Sequence, residues 1–490
     1  MVPERLERGT GPVRAVNEMK SPRKWVVCSL LAIALCAARL DAAPRPRTNA
    51  PNVILITIDT LRADHLSCYG YHLLTTPRLD QFAHEGTRFS RAYTMIPMTG
   101  PAHVSLLTGH FPQEHGAKVN GQPKHNDPRL ISLAQYLRAR GYQTAAFVSA
   151  WPLKASLTGL APGFQLYNED FDRWYQMFNT YRSAEDVNPE AIAWMTQHRY
   201  GPFFLWVHYF DPHAPYVLHK NFTSLAANPS ASDKPAKHSQ EVADRIHRYD
   251  SEVAYTDDYV GQLLDTLDAL GLKDSTIVTI VADHGESLGE HGYVGHGRQL
   301  YEPMTHVPLM MRYPPAVPAG RVVRTPVTTL DVLPTVLDLL KIKPAAPLSG
   351  KSLTAVFADP PDGNKPREVA APPDPIFFVT FAGKKWEAPS WVSWLWYSDS
   401  RKRMPLKIGR ISGDEKVIWT PDTGKIEVYN IAHDPQELEP LPASAADQGF
   451  RQEVNDIGKW FSATAVYLDN PPALDEKDRE ALRSLGYTAQ

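Results

Sequence analysis

The chain has 490 residues, 43% of them hydrophobic and 21% charged, with a formal net charge of -3. That length suits one large and one small domain, and the composition is that of a globular protein. With no basic run beyond the N-terminus, the charge argues against a nucleic-acid partner.

At the N-terminus, Lys20, Arg23 and Lys24 precede an apolar run over residues 25–38, and Pro44 and Pro46 follow. A basic start, a short apolar stretch and small residues predict a secretory signal peptide over residues 1–43, with Met19 as an alternative start. The run is short for a membrane span, so a periplasmic or secreted protein is expected, an uncleaved anchor being the alternative. Residues 44–50 read as an unstructured lead-in. Cys28 and Cys36 lie inside the signal, so the exported chain keeps Cys68 alone and forms no internal disulfide. A buried structural thiol is expected there.

The run Asn52-Val-Ile-Leu-Ile-Thr-Ile58 predicts a strand buried on both faces, and Asp59 ends it. Open α/β sheets place their ligands at such strand ends. Pro101, with Thr99 two residues before it, predicts a helix start, where proline costs no hydrogen bond. A hydroxyl at that entrance faces unpaired N–H groups and the positive end of the macrodipole, a setting that binds tetrahedral anions. The same threonine taken alone reads as an ordinary cap. A helix is expected over 132–140 and strands over 144–148 and 203–207, the latter running into His208, Asp211, His213 and Tyr216. Residues 219–246 read as a polar surface insertion, and 150–200 as loops without a motif. From Tyr249 a helix carries Val253, Val260, Leu263, Leu264 and Leu267 on one face. A strand over 276–281 delivers Asp283 and His284, a further strand covers 307–311, and a helix covers 330–340.

Alternating buried strands and helices predict an α/β fold with a central mixed, mostly parallel sheet and helices on both faces. The large domain is expected over 51–375, with a Pro-rich boundary region at 350–375. A smaller C-terminal α+β subdomain over 376–490 carries strand-like runs at 376–380, 392–397 and 416–420, and a helix at 450–464.

The segment Thr99-Gly-Pro-Ala-His-Val-Ser-Leu-Leu-Thr-Gly109 resembles the signature of the sulfatase family, in the alkaline phosphatase superfamily. That signature runs Cys-x-Pro-x-Arg-x-x-Leu-Leu-Thr-Gly, its cysteine being oxidised to formylglycine. Here Thr99 stands at the cysteine and His103 at the arginine. A threonine cannot become formylglycine, so none is expected. Thr99 instead resembles the threonine nucleophile of the phosphodiesterase and phosphotransferase branches. Thr60 replaces a second aspartate after the first strand, and Asp283-His284 resembles the pair of phosphonate monoester hydrolases and zinc phosphodiesterases. The resemblance extends over roughly residues 50–490, weakest at 219–246.

Asp59, Asp283 and His284 offer carboxylate and imidazole ligands, with Thr99 Oγ completing a set that suits a divalent ion such as Zn, Mn or Ca. Asp211, His213 and His296 are the residues for a second metal; otherwise the two histidines bind the anion or protonate the leaving group. The resemblance places His213 facing the ester and His296 near the usual leaving-group lysine. Lys118 and Asn120 are expected to contact substrate, and His103 to orient Thr99 or simply to pack. The resulting expectation is an exported metal-dependent hydrolase of phosphate- or sulfate-type esters, phospho-esters favoured. Its partner is a small-molecule, glycan or lipid ester, with no protein partner inferred. The alternatives are a phosphoryl transferase on lipid or glycan, and an inactive sulfatase-like binding protein.

Overall fold

β1 (Asn52–Ile58) buries all seven of its side chains and therefore needs cover on both faces and both edges. The computed structural model, which describes residues 50–171, 181–222, 240–357, 374–381, 405–441, 449–464 and 476–484, supplies it. The other strands of its sheet include β2 (Thr87–Tyr93), β3 (Gln143–Phe147), β4 (Leu166–Asn168), β5 (Phe203–Tyr209) and β6 (Thr276–Ala282). The nine-stranded sheet runs in the order Arg321–Val323, β2, His306–Arg312, β6, β1, β5, β3, β4, with Val327–Thr328 also on β2. From β6 to β4 every pair is parallel, whereas His306–Arg312 is antiparallel to both β2 and β6. This is the expected mixed, mostly parallel sheet. β5 and β6 bury every residue, as β1 does.

The helix expected from Tyr249 begins earlier, spanning Gln240–Ala269 and entering the stretch read as an insertion. Its first turns are polar and bury nothing before Tyr249, so hydrophobic periodicity could not reveal them. Arg245 fastens that end by donating to the carbonyl of Leu288 at 2.8 Å. The loop reading of 150–200 is corrected by a helix at Ala184–Gln197, which carries Pro189 in its interior. Proline there reads as a helix breaker. The Ser183–Asp186 capping box nonetheless fixes the helix start, and the helix lies against Gln240–Ala269. Cys68 is half-buried and free, rather than fully buried.

A second, antiparallel sheet joins Ile376–Thr380, Lys407–Ser412, Glu415–Thr420 and Lys425–Asn430. The strand Lys407–Ser412 was not evident from its residues. Its Gly409 lies under the Phe378 ring, where a Cβ would sit 1.9 Å from Phe378 Cε2, so a glycine that weakens the strand pattern is required by packing. The C-terminal helix appears at Gly449–Thr464. The predicted signal peptide, the strand at 392–397 and most of the boundary region lie outside the described residues. Residues 47–490 form one compact unit, in which Val379 N–H donates to Met95 O at 2.9 Å. Among the described residues no helix is long and apolar enough to cross a membrane.

Candidate active site

The register brings the site together. Ile58 pairs with Ala282 on one side and Tyr209 on the other, so β1, β5 and β6 end level and release Asp59, Asp211 and Asp283 at one sheet edge. Thr57 pairs with His208, and side chains alternate along a strand, so His208 lies on the same face as Asp59. The helix Thr99–Thr108 packs at this edge with every residue buried. Thr99 occupies its first turn, and Gly109 ends it at φ 71°, a left-handed conformation that suits glycine.

Thr99 Oγ1 stands 3.3 Å from His284 Nε2. His284 Nε2 is 3.4 Å from Asp283 Oδ2 and 3.8 Å from Asp59 Oδ1. His284 Nδ1 is held by the carbonyl of Gly285 at 3.0 Å, which turns Nε2 inward. Both carboxylate oxygens of Asp59, and Oδ2 of Asp283, are buried with no hydrogen-bond partner among the described residues. Burial, then the neighbouring Asp283, pushes the Asp59 carboxyl well above its ordinary range. Burial likewise pushes Asp283 up to about 6. Buried carboxylates with unsatisfied oxygens beside an inward imidazole are the donor set a divalent cation needs, and Asp59, Asp283 and His284 each place a ligand atom within 4.8 Å of the others. The expected ligands thus fit a cation together with the Thr99 hydroxyl.

His296 and His213 stand beside this nest, with ring centroids 4.4 Å from His284 to His296 and 5.1 Å from His296 to His213. His296 Nδ1 is bonded to Glu286 Oε1 at 2.9 Å, and the other Glu286 oxygen accepts from the Tyr216 hydroxyl. Glu286 was not singled out as a site residue. Its one signal was its position two residues after His284, in the same stretch. His213 Nδ1 is held by the carbonyl of Ala214 at 2.6 Å. Burial pushes both imidazoles down to about 4.

The second donor set expected from Asp211, His213 and His296 is not assembled. Asp211 accepts from Ala184 N–H at 2.8 Å and lies instead with His219 and Glu252, while His296 turns to Glu286 and His284 and the His213 ring is held by Ala214 O. That alternative triad lines a recess of about 350 Å³ that His213 and Phe210 also border. Thr60, in the place of a second aspartate, takes φ 54° and gives only its N–H to Asp283 Oδ1, at 3.3 Å. A β-branched residue in that conformation is strained, and Tyr249 holds it by donating to its carbonyl at 2.8 Å.

His103 lies one turn into the helix, with Nδ1 2.8 Å from the carbonyl of Thr99 and 3.5 Å from Asp283 Oδ2. Asn120 Oδ1 accepts from Gly100 N–H at 2.7 Å, so this residue caps the helix beside Thr99. Its Nδ2 is buried and has no partner among the described residues, leaving a donor for an anion. The Lys118 ammonium lies 5.5 Å from the Phe381 ring centroid, and burial pushes its pKa down. A Cβ at Gly100 would sit 2.9 Å from Asn120 Oδ1. Gly100→Ala is therefore expected to displace Asn120 and lower kcat by about tenfold or more, since small misplacements of reacting groups are costly. Steady-state kinetics beside a melting curve would check that the loss exceeds any loss of stability.

A sheet covered on both faces, with its polar cluster at the carboxyl ends of the strands, has the architecture of an open α/β enzyme. Residues 51–342 match the family model described as Sulfatase, more than half of the chain. The chain belongs to the sulfatase family of ester hydrolases. It is 28% identical over 341 residues to an ulvan-active sulfatase of Formosa agariphila, covering 63% of this chain and 65% of that one. It is 23% identical to an N-acetylglucosamine-6-O-sulfatase of Bacteroides thetaiotaomicron, over 92% of this chain and 93% of the other. In fold it resembles the phosphonate monoester hydrolase of Agrobacterium radiobacter, with a TM-score of 0.65, 21% identity, and coverage of 84% and 96% of the two chains.

Proposed function

We propose that this chain is a metal-dependent hydrolase of phosphate- or sulfate-type esters, phospho-esters favoured, with Thr99 as nucleophile. The observation that carries the reading is the Thr99 hydroxyl, 3.3 Å from His284 Nε2 beside two buried carboxylates with three unsatisfied oxygens between them among the described residues. A threonine takes the place of the family's formylglycine precursor. It forms a phospho- or sulfo-threonine directly, without oxidative maturation.

A bound divalent cation supplies positive charge that eases loss of the Thr99 proton and offsets the charge of the ester's non-bridging oxygens. Thr99 Oγ gives its proton to solvent and forms the new ester bond as the bond to the leaving oxygen breaks on the opposite side. The Asn120 amide and the first turn of the Thr99 helix offer N–H donors to the anion. His213 and His296 are the residues to bind the anion or to pass a proton to the departing oxygen, and Glu286 and Ala214 O fix the directions of their rings. Water then releases the acid and restores the hydroxyl. The recess bordered by His213, with Tyr181, Phe210 and Tyr255 among its walls, receives the remainder of the substrate. Export through the N-terminal segment is part of the same reading.

The test is a panel of aryl phosphate mono- and diesters, phosphonates and sulfates, assayed with and without chelator. Turnover abolished by chelation, and fastest on a phospho-ester, is expected. Sulfate turnover exceeding every phospho-ester would reverse the preference. Bound metal with no turnover on any ester would favour a transferase.

A further inference from the structure

The donor nest does not end at His284. His103, His208 and Asp283 form a second buried triad whose ligand atoms lie within 4.8 Å of one another, and Asp283 belongs to both triads. His208 Nε2 lies 3.6 Å from Asp59 Oδ2, which links the two from the other side. The sequence comparison with sulfatases assigns neither histidine to a metal: His103 replaces an arginine, and His208 falls inside β5.

The hydrogen bonds settle which nitrogen of each ring carries the proton. His208 Nδ1 is 2.7 Å from Ser149 Oγ, and the Ser149 hydroxyl donates to the carbonyl of His208 at 2.6 Å, so Nδ1 must be the donor to Ser149. His103 Nδ1 faces the carbonyl of Thr99 at 2.8 Å and can only donate to it. His284 Nδ1 does the same toward the carbonyl of Gly285. Each ring is thus a neutral tautomer with a lone pair on Nε2. The Nε2 atoms of His103 and His208 are buried with no hydrogen-bond partner among the described residues, as are Asp59 Oδ1, Asp59 Oδ2 and Asp283 Oδ2. Of these, His208 Nε2 stands with the three carboxylate oxygens, whereas His103 turns its Nδ1 toward Asp283; ionised, such a cluster is too costly to bury unless a cation satisfies it. An Nδ1–H fixed by an oxygen with Nε2 turned inward is the second shell of a metal-ligating histidine.

The spacings agree. The contacts of His208 with Asp59 and of His284 with Asp283 and Asp59 measure 3.6, 3.4 and 3.8 Å, too long for good hydrogen bonds. Two ligands about 2.1 Å from a shared ion at a tetrahedral angle are about 3.4 Å apart.

We infer that the cation centre extends inward to His208, and that the imidazoles of His208 and His284 make it a seat for a zinc-class transition ion in preference to calcium. Calcium takes oxygen ligands, whereas imidazole suits zinc, copper, iron and nickel. The inference rests on the reading of Asp59, Asp283 and His284 as cation ligands, and it is tested without measuring turnover.

The full chain, stripped by chelator and reloaded with zinc, is to be studied by X-ray absorption to count imidazoles in the first shell. Two are expected, from His284 and His208, and His208→Gln should lower the count by one. Zinc affinity by chelator competition should fall about 10- to 100-fold in His208→Gln, and about tenfold in Ser149→Ala, with calcium affinity unchanged. Ser149→Ala removes no ligand, so it serves if His208→Gln does not fold. A count of one imidazole in the parent, or tighter binding of calcium than zinc, overturns the inference while leaving the outer ligands in place. Failure of the parent to bind zinc or calcium at all overturns both readings.

Discussion

Thr99→Ala is expected to lower kcat on the preferred ester by at least about 10³-fold, the scale on which enzymes lose rate when a nucleophile is removed. The residue is fully buried in the first turn of its helix, and its hydroxyl is the group that reaches His284 Nε2. The methyl of alanine occupies part of the same space, so the melting temperature should change little. Thr99→Ser should keep a measurable fraction of the rate, because it keeps the oxygen but loses the restriction that β-branching puts on χ1. Rapid quenching of the parent during turnover, followed by peptide mass spectrometry, should find the transferred group on the peptide containing Thr99. An alanine variant that folds and turns over at the parent rate would remove Thr99 from the chemistry and leave a directly attacking water.

Asp59→Asn should separate stability from metal binding, with opposite signs in two solutions. In chelator the variant should melt above the parent, because it removes one of two buried carboxylates that lack compensating charge. With zinc at a hundred times the parent's dissociation constant, the parent gains about 2.7 kcal/mol. A ligand loss that weakens binding by about 100-fold leaves the variant only about 0.4 kcal/mol of that gain. The order of melting temperatures should therefore invert between chelator and zinc, as calorimetry would read directly. Activity should fall with metal content. A parent whose melting temperature ignores both chelator and zinc would show that these carboxylates do not hold an ion.

Much of the site was legible in the chain because its residues close buried strands. The seven-residue run before Asp59 and the one before Asp283 are apolar enough to be recognised as sheet interior, and a charge at such an end is conspicuous. The Thr99 stretch declared itself through its proline and its likeness to a family signature. Glu286 stayed hidden and Tyr216 showed only as one of a polar group, since Glu286 serves by holding the His296 ring and Tyr216 by meeting Glu286 from a distant part of the chain. Asp211 misled for the related reason that it sits two residues from His213, yet its carboxylate faces the start of the Ala184–Gln197 helix. Sequence proximity in an irregular segment carries no direction.

The residues alone carried the mixed α/β sheet, the strand ends with Asp59 and Asp283, and the threonine at the position of the family signature's cysteine. Those follow from local hydrophobic pattern and from the chemistry of a single side chain. The tertiary structure decided which polar groups meet: that His208 comes level with Asp59, that Asp283 is shared by two triads, and that Asp211 leaves the expected set. Strand register fixes those meetings, and register depends on how β1, β5 and β6 pack together.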